Sequence, residues 1–565
     1  MRSAVNEGIR TAPGAHQATR GWGPFEPLRE RTFATIWSSS VLSNFGQLIL
    51  GVGAAWEMTR LAGSPEMVAL VQSALMLPLM LCAVPAGAAA DMFDRRKVAL
   101  AGLGFAMISA ATLATLSLLG LVTPWLLLGF CSLIGVGVAL FGPAWQASVG
   151  EQVAPEHLPA AVALGSISYN VARSFGPAVG GAIILVAGAK VAFAVTTLAF
   201  VPLLVAFFFW RRKPAPSRLP PERMDRAIVS GGRYVVHSPP IRTVLVRALV
   251  YGLSSSAIAA LTPVMAREML GGGAGMYGLL LGVQGAGAVF GAILSGSIRW
   301  RFKAEHVVRA GGIITGLMAL VMGLSHNALL TGAAMFVFGG ASMVLLTMLN
   351  LGVQLSAPRW VTARALSLYL SALTGGLAVG AWIWGSLAGA HGVGASLVMS
   401  AVALMLSPLL GLALPLPALN TAGLQPVETA GEPDVALALT LKSGPVVIEL
   451  DYDVDPDQAR QFYGSMLMLQ KARQRNGAFE WSLSRDIADP ALWTERYLCP
   501  TWGDYLRLRS RATASDRELQ DAAFALTRSG SVSRVRRRLE RPFGSVRWRA
   551  DTPDPQRDSM VTFAP

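Results

Sequence analysis

The chain has 565 residues, of which 53% are hydrophobic and only 14% charged, whereas a soluble domain carries about 25% charged residues. That balance argues against a soluble protein and for a polytopic membrane protein, and the 59 glycines suit helices that pack through small residues. A net charge of +14 would suggest nucleic acid in a soluble chain. Here the excess sits in loops between apolar runs, where Lys and Arg fix orientation, so no nucleic-acid partner is expected.

Residues 1–32 form a polar tail with Arg2, Arg10, Arg20, Arg29 and Arg31. It has no apolar core followed by a cleavage site, so it reads as a retained cytoplasmic tail. From Phe33 to Pro417 the sequence holds about twelve runs long enough to cross a bilayer. They cover 33–57, 67–90, 97–120, 124–147, 161–187, 190–210, 243–266, 276–298, 307–325, 328–355, 363–389 and 393–416. With the N-terminus inside, the inner loops collect Arg95, Arg96, Lys97, the cluster Arg211 to Arg242, Arg299, Arg301, Lys303 and Arg359. The outer loops hold little beyond Arg60, Lys190 and Arg267, so both termini are expected in the cytoplasm. The inner loop with Glu151, Glu156 and His157 carries no Lys or Arg and dissents.

The basic segment 211–242 divides the runs into an N-terminal half, 33–210, and a C-terminal half, 243–417. Within it "PAPSRLPPER" is a Pro-rich linker, and "DRAIVSGGRYVVHS" suits a short amphipathic helix along the membrane. The halves echo each other. "GAAADMFDRRK" at Gly87 matches "GAILSGSIRWR" at Gly291, and "APEHLPAAVAL" at Ala154 matches "APRWVTARAL" at Ala357, at nearly the same offset. Paired halves of this kind are a common transporter plan, with the substrate between them.

"GAAADMFDRRK" resembles the signature loop of the major facilitator superfamily between spans two and three, through Gly87, Asp91, Arg95, Arg96 and Lys97. Met92 and Asp94 replace its usual basic residue and glycine. In physical terms Gly87 would let span two pack closely, and Asp91 would bond the N–H groups of a neighbouring helix end. Arg95 to Lys97 would pair with Asp91 or with lipid phosphates. The resemblance implies that the loop is a conformational latch between the halves. A narrower resemblance covers most of the chain. "TIWSSSVLSNFGQ" at Thr35, "HLPAAVALGSISYNVARSFGPAVGG" at His157 and "GGRYVVHSPPIRTVLVRALVYG" at Gly231 are similar to exporters like the enterobactin exporter, the transmembrane secretion effectors. This implies export of a small organic compound by alternating access, of siderophore, drug or macrolide type, in a bacterial inner membrane.

Several polar residues fall within spans. Arg173 lies near the middle of span five, at a depth where a charge costs about 2.5–3.5 kcal/mol on insertion scales. It is expected either to contact an anionic or polar substrate group, to fix the two halves, or to form an internal ion pair. Asn44, Gln47, Gln146, Tyr169, Asn170, Gln284 and Asn350 are further cavity candidates, each also suited to a bond between helices. Gly176, Pro177, Gly180 and Gly181 form a helix-bend motif that resembles the end of the antiporter motif, although Ala163 and Ala172 stand where its upstream glycines would be. There is no Gly-x-x-x-x-Gly-Lys-Ser/Thr loop for ATP hydrolysis. Proton antiport is the superfamily's implication, and Glu57 and Asp91 are the candidate carriers.

Residues 418–440 read as a polar linker and 441–565 as a cytoplasmic domain. Strands at "PVVIELDYDV", "AFEWSLSRDI", "WTERYLCPT" and "GSVRWRAD" alternate with helices "DQARQFYGSMLMLQKARQRNG" and "WGDYLRLRSRATASDRELQDAAFALTR" in βαββαβ order. This resembles the ferredoxin-like, monooxygenase-type domain found in some secretion effectors, which implies homodimer pairing through the sheets. "SRVRRRLERP" reads as a solvated basic face, and Trp481, Trp493 and Trp502 as core more than ligand pocket. His is absent after His391, and Cys82, Cys131 and Cys499 form no disulfide pattern, metal cluster or nucleophile constellation, so no cofactor and no enzyme are expected.

The expected fold is thus an all-α polytopic membrane protein of twelve transmembrane helices in two six-helix halves, plus a small C-terminal α+β domain. The alternative is a membrane-anchored sensor or enzyme whose tail is the active part.

Overall fold

The computed structural model describes residues 23–540 apart from 63, 155–156, 212–231, 359–360, 417–432, 434, 438, 529, 531 and 533. The tail 1–22 and the expected strand at 544–551 lie outside the described residues.

Long apolar helices make up the membrane part: α1 (Arg31–Leu61), α2 (Pro65–Met92), α3 (Arg95–Leu118), α4 (Pro124–Ser148) and α5 (Leu158–Phe209). They continue as α6 (Pro239–Val264), α7 (Ala274–Arg301), α8 (Ala304–Leu324), α9 (Ala328–Gln354), α10 (Thr362–His391) and α11 (Val393–Leu406). A turn at Ser407–Leu409 leads α11 into a last helical turn, Leu410–Ala413. Ten helical segments are long and apolar enough to cross a membrane by length and composition. α1 falls outside that set because Ser38, Ser39, Ser40, Ser43, Asn44 and Gln47 lower its hydropathy.

Starts and stops follow local chemistry. Ser64, Thr123 and Asn327 accept from backbone N–H groups one turn into α2, α4 and α9, and Pro65 and Pro124 occupy first-turn positions where no donor is needed. α5 is broken at Gly188, whose φ of 78° and ψ of 171° suit only glycine. It therefore consists of two limbs, and the expected turn between the fifth and sixth runs is this one residue.

Within the N-terminal half α1 lies along α5, and α4 packs on α2 and α3. In the C-terminal half α6 packs on α10, α7 on α9, and α8 on α9 and α11. The halves join chiefly through α2 with α10 and α5 with α7, and α2 and α1 also touch α6.

The C-terminal domain is a four-stranded sheet, β1 (Val446–Asp453), β2 (Phe479–Arg485), β3 (Leu492–Cys499) and β4 (Arg534–Leu539), in the order β2-β3-β1-β4. Every neighbouring pair is antiparallel. Helix α12 (Ala459–Asn476) buries Phe462, Met466, Leu469 and Ala472 against Ile448, Leu450 and Tyr452 of β1. The second expected helix is two, α13 (Trp502–Ser510) and α14 (Ala514–Phe524), because Thr513 and Asp516 form a capping box that starts a new helix. The basic run read as a solvated face is strand β4. Its alternate arginines pair with acidic residues of β1, Arg536 with Glu449 and Asp451 and Arg538 with Glu449, so the strand is charged yet paired.

Candidate functional site: the junction of the halves

One end of the bundle carries the basic loops, and the halves meet at the other. There the backbones of Gly181 on α5 and Gly278 on α7 come so close that a Cβ built on Gly181 would stand 2.1 Å from the Gly278 Cα. One turn inward, a Cβ on Gly282 would be 3.1 Å from that of Ala178. Trp56 and Tyr277 stack across the seam, with ring centroids 6.1 Å apart and an interplanar angle of 18°. Arg267 Nη1 donates to the Thr59 carbonyl over 2.8 Å. Along α2 and α10, Ser73 Oγ donates to the Ala378 carbonyl at 2.6 Å and Ser386 Oγ to Glu66 Oε1 at 3.3 Å, and Gly385 admits Ala69. This end is shut, mostly by small residues and single hydrogen bonds.

The helix-bend motif supplies the geometry. Gly176 and Gly180 sit against Leu48, Ile49 and Val52 of α1, while Gly181 faces α7. The glycines thus bring α5 close to both neighbours at once.

At the basic face, Asp94 caps α3 by accepting from the N–H groups of Arg96 and Lys97 at 2.9 and 3.2 Å, which explains why a carboxylate stands where the signature has glycine. Arg95 Nη1 donates to Glu151 Oε1 and to the Ala147 carbonyl, each at 2.8 Å. Arg96 donates to the carbonyls of Phe207 and Phe208 at the end of α5. Among the described residues, Arg95 and Arg96 thus grip helix ends of their own half. Helix carbonyl ends attract cations, and the acidic loop at Glu151 dissents because it serves Arg95. The side chain of Asp91 lies outside the described residues. Close packing at Gly87 is not seen, since a Cβ there would meet nothing within 4 Å.

Among the cavity candidates, Asn44 Nδ2 donates to Ser168 Oγ at 3.1 Å, an α1–α5 bond, and Asn350 Oδ1 accepts from Gln354 one turn on. Gln47 and Gln284 are half-buried, and Gln146 is exposed near the end of α4. Tyr169 and Arg173, one turn apart on α5, are both exposed, and the Asn170 side chain lies outside the described residues. Glu57 is buried near the shut end, with Arg60 donating from Nη2 at 2.6 Å and Nε at 3.2 Å.

Sequence reasoning missed a second ionic cluster. Glu305, at the start of α8, accepts from the buried Arg247 of α6, from Arg309 Nε at 2.6 Å and from the Leu416 N–H at 2.9 Å, and Arg309 also holds the Gly411 carbonyl. It ties α6, α8 and the end of the last helix together. The available signal was Arg309, four residues after Glu305 on the same helix.

The C-terminal domain holds a buried hub at Glu495. Tyr452 Oη donates to it at 2.8 Å, Trp481 Nε1 at 2.9 Å and Arg473 Nε at 3.2 Å. Burial, with Glu495 close by, pushes the Tyr452 hydroxyl well above its ordinary range, and burial pushes the Cys499 thiol up to about 12. Such a thiol is protonated at neutral pH and packs in the domain core. The domain is fastened to the bundle by the short helix at 232–236 in the segment between the halves. Arg233 Nη1 donates to the Gly477 carbonyl at 3.0 Å, and Arg475, paired with Asp516, lies 5.7 Å over the buried Tyr234 ring. The amphipathic helix expected along the membrane is, in its described part, the seat of the tail.

A bundle of long apolar helices whose halves meet at one end is the build of a membrane transporter. Residues 22–543 match the family model described as transmembrane secretion effector, so the chain belongs to that family of major facilitator transporters. It is 25% identical over 347 residues to the uncharacterized MFS-type transporter YfiS of Bacillus subtilis (strain 168), which spans 58% of this chain and 82% of that one. Its fold is similar to a bacterial homolog of the human lysosomal transporter Spinster in an inward-facing, unoccupied conformation, with TM-score 0.56, 15% identity and coverage of 68% of this chain and 96% of that one. It is also similar to the nucleoside transporter NupG, with TM-score 0.55, 11% identity and coverage of 68% and 99%.

Proposed function

We propose that the protein is a secondary active exporter that moves a small organic compound out of a bacterial cell by alternating access, coupled to proton antiport. The observation that carries this reading is the shut junction, where two halves touch through glycine backbone and single hydrogen bonds that a rocking motion can part. α1 and the two limbs of α5 bring the crossings to about twelve, grouped as 33–210 and 243–417. The loop asymmetry of Lys and Arg supports a plasma membrane location with both termini in the cytoplasm. The strand order and antiparallel pairing support a ferredoxin-like tail over 441–565, with dimer pairing as its proposed role. Gly87, Asp91, Arg95, Arg96 and Lys97 form the latch loop, and Glu57 or Asp91 carries the proton.

The test uses inverted membrane vesicles with an imposed pH gradient and a panel of dyes, siderophores and macrolides. Gradient-dependent uptake that Asp91→Asn abolishes is expected. Uptake indifferent to the gradient overturns the coupling, and normal uptake by Asp91→Asn overturns the latch. Loss of uptake in a chain ended near Ala418, with the bundle intact, would favour the tail as the active part.

A further inference from the structure

Arg173 is a charge that the packing of the halves does not use. It stands near the middle of the first limb of α5, far from either end of that limb. Each side of this limb has a distinct surrounding. Ala172, Gly176 and Gly180 are buried, the two glycines against α1, while Ala178 and Gly181 face α7. Val171, Phe175 and Val179 form an exposed apolar stripe suited to lipid. Arg173 and Tyr169 occupy the remaining side, and both are exposed. This side lies between the one turned to α1 and the one turned to α7. Arg173 therefore faces the space between the halves, roughly a turn and a half from the Ala178–Gly282 contact that shuts it.

Among the described residues no carboxylate pairs with this cation. Glu57 is held by Arg60, Glu151 by Arg95, and Glu305 by Arg247 and Arg309. A charge at this depth is retained where water or a counter-charge reaches it. A proline stands four residues on, so the Arg173 carbonyl also lacks its helical N–H donor.

We propose that Arg173 is the anion-binding group of the transport site and that the substrate is an amphipathic organic anion, its carboxylate, sulfonate or phosphate docking on the guanidinium beneath the shut end. This rests on the transport reading and gives it a substrate class. Arginine suits the role because its planar fork grips such groups through two donors and stays charged at any physiological pH.

The experiment uses the full chain in lipid nanodiscs and two probes with one xanthene frame, the anion carboxyfluorescein and the cation rhodamine 6G, with binding read by fluorescence anisotropy. Wild type binds carboxyfluorescein more tightly than rhodamine 6G. Arg173→Gln weakens carboxyfluorescein about tenfold or more, Arg173→Lys recovers part of the loss, and rhodamine 6G is unmoved. Equal or tighter binding of the cation, no binding of carboxyfluorescein, or an unchanged affinity in a correctly folded Arg173→Gln protein each overturns the anion site. Proteoliposomes separate the two readings. Arg173-dependent binding without any transport overturns transport alone, and carboxyfluorescein transport indifferent to Arg173→Gln overturns the anion site alone.

Discussion

At the basic face Arg247 and Arg309 grip Glu305, and Arg95 grips Glu151, each within one half. At the opposite face the halves touch through Gly181 and Gly278, the Trp56–Tyr277 stack and lone hydrogen bonds such as Arg267 to Thr59. Removing one partner of a buried ion pair costs about 3–5 kcal/mol, whereas a single hydrogen bond contributes about 0.5–1.5 kcal/mol. Each half is thus fastened by charge pairs that are costly to leave half-made, and the junction by small residues and single hydrogen bonds, a division that the proposed alternating access would use.

The sharpest way to break this contrast is to put bulk into the junction. Gly278→Leu forces α7 away from α5, and we expect gradient-driven uptake to fall by at least about tenfold while expression and thermal unfolding change little. Cysteines placed at Glu66 and Ser386 should then cross-link more slowly than in an otherwise unaltered chain. Equal cross-linking would show that the glycine pair does not set the closure.

Next in size is Glu305→Ala, which strands Arg247 in a buried site. It should cost about 3–5 kcal/mol, read as a lower midpoint of thermal unfolding in detergent, before any effect on closure is measured. A Glu305→Ala protein of normal stability but altered cross-linking would reverse the division of labour. Arg267→Ala removes one bond between the halves and should cost about 1 kcal/mol, raising the open fraction several-fold by spin-label distance measurement without changing the unfolding midpoint. Smallest of all, Cys499 should resist alkylation by iodoacetamide at pH 8 in the folded protein, since burial holds its thiol at about 12, and should react on unfolding.

The helices of the bundle were legible because apolar runs of bilayer length leave little choice of structure. The first three strands and the first helix of the tail were legible in order, and strand β4 was not. Arg534 to Leu539 reads as a charged surface run, because the acidic residues that neutralise it, Glu449 and Asp451, lie on a strand some ninety residues earlier. The site was legible in residue type more than in role. Periodicity says which side of a helix a residue is on, but not which helix lies opposite. Asn44 therefore suited either a cavity or a bond between helices, and it is bonded to Ser168, whereas Arg173 is exposed. Glu151 and Glu305 were unreadable for a related reason, since their partners Arg95 and Arg247 are brought to them by the packing of separate helices.

The short helix at 232–236 belongs to the covalent tether that runs from one half to the other, and the tail is buckled to it through Arg233 on Gly477 and Arg475 over Tyr234. In the alternating access proposed for this protein, such a tether would carry the strain of each stroke. With the tail seated on it, whatever stiffens or loads the tail would then change the drag on that stroke.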